Sequence, residues 1–283
     1  MRYLAYEDGG ERVMGVLAAS GVVPVMEVDA FYSDVAAAIE ASRRVAEQAA
    51  REAGPPGSAA GRPLAELRQV PPVPLGARVL CLGLNYRSHV EEAAQEVPEA
   101  PTVFVRLPST LACDGETVRI PAADRKLDWE GELAAVVGSP LDGASEEEAA
   151  RSVFAYTCFD DLSARGLQLA TSQWTLGKNV DGTGPMGPVL VGAEEVADPY
   201  ALHIETRVND SVMQSATTGD MIFRIPEVLA YISGAMRLRP GDVLVTGTPE
   251  GVGYTRDPPV YLLPGDTVEV EIEGIGVLRN QIV

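Results

Sequence analysis

From Arg78 to the C-terminus the chain is a succession of short β-branched runs cut by glycine and proline, and that punctuation restricts the folds open to it. VLCLGLN, PTVFVRL, ETVRIP, ELAAVVG, VFAYTCF, GPVLVG, HIETRVND, DVLVTG and DTVEVEIEG each read as a strand bounded by turn residues. Helical spacing is confined to Ser88–Gln95, Ser145–Ser152 and Ile225–Met236. Strands and helices do not alternate as a βαβ repeat requires, so the pattern predicts a β-rich α+β fold. Upstream, strands over Met1–Tyr6, Arg12–Ala18 and Val22–Val28 precede a helix over Asp34–Glu52, with Asp34 as its cap. GPPGSAAGRP, Gly54–Pro63, is a linker by composition, and the Pro-rich VPPVPLG ends at Gly76. This organisation predicts a small N-terminal α+β domain over residues 1–70 and a larger domain over residues 71–283.

A chain of 283 residues buries a sizeable core without covalent staples. Cys81, Cys113 and Cys158 form no C-x-x-C pair, which predicts buried free thiols in a reducing compartment rather than a disulfide framework or zinc site. The N-terminus has no secretory pattern and no apolar run reaches a membrane span, so the expected location is the cytoplasm. A formal charge of −19 repels polyanions, which argues against nucleic acid and anionic membranes as partners. A small anionic substrate still binds where a local cation reverses the field.

LDWEGELAAVVG, Leu127–Gly138, sets Glu130 and Glu132 two residues apart before an apolar strand. Alternate strand residues share a face, and two like charges on one face call for a cation between them, although a solvated strand end fits the pair equally. VFAYTCFDDLSARGLQ brings a buried run to Asp160 and Asp161. A carboxylate there is costly unless paired or on a metal. Three acids without clustered histidine or cysteine suit a hard cation, Mg²⁺ or Mn²⁺, with Ca²⁺ also compatible. Spacing alone favours a helix N-cap for at least one of the two aspartates. Of two histidines, His203 lies in an alternating strand and reads as structural. His89 and Glu92, at i and i+3, share a helix face; that arrangement serves a general base, and a solvated face produces it too. Lys178 lies in a Gly/Pro-rich loop, and VTGTPEGVG is a glycine-rich turn without a phosphate-loop ending.

Taken in order, GLNYRSHVEE, PTVFVRLPSTL, DWEGELAAVVG, DDLSARGLQ, WTLGKNVDGTGPMGP, TGDMIFRIPEVLAYIS, GDVLVTGTPEGVG and PGDTVEVEIEGIGVLRN resemble the fumarylacetoacetate hydrolase family, including its acylpyruvase and 2-hydroxyhepta-2,4-diene-1,7-dioate isomerase branches. The resemblance covers about Pro72 to Val283. It implies a mixed β-sheet roll around a divalent metal held by Glu130, Glu132 and Asp161, in a homodimer. It also implies that His89 and Glu92 activate water and that Lys178, Arg165 and Gln168 lie near the substrate oxyanion. Thr248 matches a position that holds the substrate carboxylate. The implied chemistry is hydrolysis of a C–C bond in an acylpyruvate-type acid. Decarboxylation of a 2-oxo acid and tautomerisation or isomerisation of a hydroxymuconate-type acid are alternatives at the same site, and a non-catalytic binding scaffold is a third reading. Ser88, Arg106, Asp160, Gly166 and the stretch Asn179–Gly184 depart from the family's usual residues, and they bear on the shape of the pocket.

Overall fold

The computed structural model describes residues 1–52 and 61–283, so residues 54–60 of the expected linker lie outside the described residues. The fold is β-rich with mixed sheets, as the sequence predicts. One large sheet of eleven strands runs in the order Gly21–Glu27, Glu11–Ala18, Arg2–Asp8, Gly184–Gly192, Val153–Asp160, Gly131–Val137, Val243–Val245, Val79–Gly83 and Thr102–Arg106, with two short strands off this path. A five-stranded sheet stacks on it, built from Ser211–Thr217, His203–Val208, Thr267–Ile272, Gly276–Ile282 and Thr117–Val118. Two of these, Ser211–Thr217 and Gly276–Ile282, carry too many polar residues to stand out as strands in the sequence.

Strand Gly131–Val137 is buried along its whole length, because both of its faces are covered. Leu133, Ala135 and Val137 join the core that also holds Ile204, Val270 and Leu229. Ala134 and Val136 join the opposite core with Tyr3, Phe31 and Phe154, whose rings lie 5.1–5.6 Å apart. By the alternation of a strand, Glu132 shares the face of Ala134 and Val136. Gly131 faces the other way: a Cβ there would lie 2.1 Å from Thr206 Oγ1 of the smaller sheet. The glycine between the two glutamates is therefore fixed by sheet-on-sheet contact.

The N-terminal strands extend the large sheet, with Arg2 opposite Val191 and Tyr3 opposite Leu190. The third of them stops at Glu27, whose carboxylate caps a short helix, Val28–Ser33, that was not expected. The next helix, Val35–Glu52, begins as predicted, with Ala37 N donating to Asp34 Oδ1 at 3.0 Å. Helix Glu146–Ser152 starts on a reciprocal capping box between Ser145 and Glu148, and the third predicted helix spans Ile225–Ser233. All three cysteines are buried and free. Among the described residues, no helix is long and apolar enough to cross a membrane.

Because a methyl at residue 131 has no room, Gly131→Ala forces strand and sheet apart. The expected loss is about 1–3 kcal/mol of stability, read as a lowered denaturant midpoint. A midpoint equal to that of the wild type would show that the two sheets are not in contact at this position.

Candidate active site

Strand pairing assembles the acids. Gly131 lies opposite Asp160 in the antiparallel pair, and Asp161 N donates to the Glu130 carbonyl at 2.9 Å. Glu130 and Glu132 thus meet Asp161 at one end of the sheet. One oxygen from each lies within 4.8 Å of the others, and all three residues are buried. Glu132 Oε2 accepts from Gly247 N at 2.5 Å, while Oε1 is buried with no hydrogen-bond partner among the described residues. Burial pushes the Glu132 carboxyl well above its usual range, and the charges of Asp161 and Glu130 push it further. An orphaned buried oxygen grouped with two more carboxylates fits a divalent cation, and an all-oxygen donor set suits a hard one.

Three cations surround this cluster. Lys178 Nζ lies 2.6 Å from Glu130 Oε2 and 2.6 Å from Asp161 Oδ2. Arg165 Nη1 lies 2.6 Å from Glu130 Oε1. Arg106, fully buried, pairs through Nε with Asp161 and donates from Nη2 to the Leu162 carbonyl at 2.6 Å. Burial pushes Glu130 up, but Lys178 and Arg165 outweigh it and hold the carboxyl at about 2. Burial pushes Lys178 down, yet Asp161 and Glu130 outweigh it, so the ammonium keeps its proton more tightly than usual.

His89 and Glu92 lie on the short helix Arg87–Glu92, with Nδ1 and Oε2 3.4 Å apart. Glu92 Oε1 accepts from Gly251 N at 3.0 Å, which ties this helix to the Gly-rich turn. His89, Glu130, Lys178, Arg165, Gln168 and Thr248 all line one cavity of about 210 Å³. Arg165 Nη1 also donates to Gln168 Oε1 at 2.8 Å. Thr248 Oγ1 donates to the Gly131 carbonyl at 3.0 Å and accepts from Gln214 Nε2 at 2.8 Å. Of the residues singled out in the sequence as site candidates, His89, Lys178, Arg165, Gln168, Thr248 and Glu130 line this cavity, Glu132 and Asp161 complete the acid cluster with Glu130, and Glu92 stands behind His89 without lining the cavity.

One expectation needs correction. Neither Asp160 nor Asp161 caps a helix: Asp160 Oδ1 accepts from Glu130 N at 2.9 Å, and the chain continues into the short strand Ser163–Ala164. Local spacing favoured a cap because it carries no record of a partner 30 residues away. Lys178 is buried although its loop is rich in glycine and proline. The sequence also gave no role to Arg106, Asp128 or Tyr254. Asp128 holds Arg165 Nε at 2.7 Å and accepts from Gly253 N and Tyr254 N, while the Arg165 guanidinium stacks 4.2 Å from the Tyr254 ring centre. The only sequence signal for Asp128 was its place beside Trp129-Glu130. His203 is exposed on its strand, 3.0 Å from Ser215 Oγ, and plays no part in the site.

The family model for the fumarylacetoacetate (FAA) hydrolase C-terminal domain matches residues 78–283. The chain belongs to the fumarylacetoacetate hydrolase family. Oxaloacetate tautomerase YisK of Bacillus subtilis (strain 168) is 42% identical over 223 residues, which is 77% of this chain and 74% of that protein. Among solved structures, a fumarylacetoacetate hydrolase from Exiguobacterium antarcticum shares 32% identity at a TM-score of 0.78, covering 100% of this chain and 99% of that one. A 2-hydroxyhepta-2,4-diene-1,7-dioate isomerase from Mycobacterium marinum shares 30% at 0.75, covering 100% and 98%. The fumarylacetoacetate hydrolase family thus places tautomerase, isomerase and hydrolase names on chains like this one.

Glu132→Gln separates binding from stability. In chelator, removing one buried like charge leaves the melting temperature equal to or above that of the wild type. Adding Mg²⁺ or Mn²⁺ raises the wild type but not the variant, because only a state that binds the ion is stabilised by it. Equal metal-induced shifts in both proteins would remove Glu132 from the metal site.

Proposed function

We propose that the protein is a metal-dependent tautomerase that moves a proton between C3 and the 2-oxo oxygen of a small 2-oxo acid. The observation that carries this reading is that His89, oriented by Glu92, shares one small cavity with Glu130, Lys178 and Arg165 beside the acid cluster. A divalent ion held by Glu130, Glu132 and Asp161, Mg²⁺ or Mn²⁺, would polarise the 2-oxo group and stabilise negative charge on its oxygen.

The chain's own residues supply the rest. Glu92 holds the imidazole of His89 in one orientation, so that its other nitrogen can take a proton from C3. The negative charge moves to the 2-oxo oxygen, where Lys178 faces it with a firmly held proton. His89 then returns the proton to that oxygen, which gives the enol; the reverse sequence restores the ketone. No atom is gained or lost. Arg165 Nη2, buried and without a partner among the described residues, is placed for the substrate carboxylate, and Gln168 and Thr248 flank it along the cavity wall. The cations reverse the field of the −19 chain at the point where an anion must enter.

The names carried by similar chains support proton transfer, and the similarity to YisK is the strongest of the matches reported above. Hydrolysis of an acylpyruvate is the second reading, favoured by the likeness to the Exiguobacterium antarcticum enzyme. It uses the same residues, with His89 activating water in place of C3. The homodimer and the cytoplasmic setting belong to the same proposal, as does a domain boundary near residue 70, which the start of the family match at residue 78 supports.

With Mn²⁺ or Mg²⁺ present, the wild type is expected to accelerate the decay of enol-oxaloacetate and the exchange of its C3 hydrogens into deuterated solvent. His89→Ala is expected to lose about 10²-fold or more, and Glu92→Gln less. Release of pyruvate from acylpyruvates without any enol decay would replace the tautomerase reading with hydrolysis.

A further inference from the structure

The lining of the cavity is of two kinds: Glu130, Lys178, Arg165 and His89, with the polar Gln95, Gln168, Thr248 and Tyr254, and an apolar group made of Leu82, Leu84, Phe104, Leu169 and Trp174. Lys178 marks the border: its Nζ lies 5.1 Å from the Phe104 ring centre, but its hydrogen bonds go to Glu130 and Asp161. Among the described residues of the apolar wall, none carries a positive charge. A second carboxylate pointing that way would leave water without gaining a cation, since the further donors that line the cavity, Gln95, Gln168 and the Trp174 indole N–H, are neutral.

Trp174 is seated rather than loosely placed. A Cβ on Gly83 would lie 2.4 and 2.6 Å from two carbons of the indole, so the ring occupies the space that a side chain at residue 83 would need. Phe104 meets the same indole edge-on, with ring centres 5.4 Å apart at 74°. Trp174 also opens the short helix that ends at Lys178, and Lys178 N donates back to the Trp174 carbonyl at 3.0 Å. Wall and cation are thus set by one turn of chain.

A second observation points to the same apolar group. Leu84 adopts a left-handed backbone, with φ of 56°, a conformation costly for a leucine. Asn85 holds it there. Its amide donates to the Thr246 and Phe223 carbonyls at 2.8 and 3.1 Å and accepts from Phe223 N at 2.8 Å. Backbone strain kept at a cavity wall marks a conformation retained for what it presents, and here it presents an aliphatic side chain. At the cavity rim, Leu169 remains 61% exposed.

We propose that Trp174 is the residue that sets the length and polarity of the substrate's tail, committing the site to 2-oxo acids whose tail is short and uncharged. This rests on the tautomerase reading above and sharpens it. The carboxylate and 2-oxo group go to the charged residues, and the C3 substituent lies along Leu84 and Phe104 until it meets the indole. The preferred substrate is then a monocarboxylate with an aliphatic or small aromatic tail.

The test is a profile rather than a single rate. Deuterium exchange at C3 is followed by NMR, with the full chain and Mn²⁺, for oxaloacetate, for its uncharged isostere 4-methyl-2-oxopentanoate, and for straight-chain 2-oxo acids of increasing length. With each kcat/KM divided by the uncatalysed exchange rate of the same acid, which removes the greater intrinsic acidity of C3 in oxaloacetate, the isostere is expected to exceed oxaloacetate about tenfold or more in the wild type, and the straight-chain series to fall about tenfold past a sharp length. In Trp174→Ala that fall moves to longer chains, and the ratios show it whatever the absolute rate. Gly83→Ala, whose methyl displaces the indole, is expected to alter the same length dependence. Oxaloacetate outpacing its isostere on that scale, or an unmoved length profile in Trp174→Ala, overturns the assignment of Trp174 and leaves the tautomerase reading standing. Absence of exchange with every acid in the wild type overturns both.

Discussion

Three carboxylates within 4.8 Å of one another, shut away from water, are the constraint that the rest of the site answers to. Like charges in a medium of low polarity repel strongly, and each loses its hydration as well. Three buried cations offset part of this. Arg106 takes Asp161, Arg165 takes Glu130, and Lys178 lies between the two. Glu132 receives no cation of its own. It keeps one backbone hydrogen bond and one bare oxygen, and its carboxyl is pushed well above the usual range by burial first and by its neighbours second. The imbalance is local and directional. Within the three-acid cluster it singles out Glu132 as the acid with no ion pair among the described residues, which is where a divalent ion has most to contribute.

The remaining architecture keeps that cluster in register. Antiparallel pairing fixes Glu130 and Glu132 against Asp161, and the missing side chain at Gly131 lets the smaller sheet close over the back of the strand. Asp128 extends the order outward. By holding Arg165 and the amides of Gly253 and Tyr254, it joins the Arg165 side of the cavity to the turn that also holds Glu92 through Gly251 N. The candidate base and the candidate carboxylate receptor are thereby anchored to one stretch of backbone. Asp128 has its own carboxyl raised by burial despite Arg165 beside it, so it is a costly residue whose contacts are all positional.

How much of this was legible depended on range. The strands were, because alternation and turn residues are local facts. Glu130 and Glu132 were, because a spacing of two defines a shared face. Asp34 and Ser145 were placed at helix starts by rules that operate within one turn, and both hold. What local reasoning missed are pairings made by the fold. Arg106 meets Asp161 across 55 residues, and Arg165 meets Asp128 across 37. Nothing within a window of ten residues distinguishes these arginines from solvated ones. The misplaced helix cap at Asp160 has the same origin: a rule about near neighbours was applied to a side chain whose partner is a strand away. The ordered family motifs compensated for this, since a motif stores the outcome of long-range packing in short-range form. That is why Lys178 and Arg165, which the fold sets beside Glu130, were named as candidates while Asp128, outside the residues given roles, was not.

The cavity combines these two scales. Its charged wall is built from distant segments and could not be read locally. Its apolar wall depends on a backbone conformation at Leu84 that disfavours leucine, and on a glycine at residue 83 that leaves room for an indole 91 positions later in the chain. The turn at Leu84 also seats Asn85, whose amide ties it to the Thr246 and Phe223 backbone. For strand Val79–Gly83 itself, an alanine at residue 83 would suit at least as well as glycine. A folded state that spends stability in this way, directly beside a group of charges already held at a cost, concentrates its departures from local preference in one place. Such departures are expected where structure serves a ligand rather than itself. In this protein they support the proposal that the apolar wall of the cavity belongs to the site.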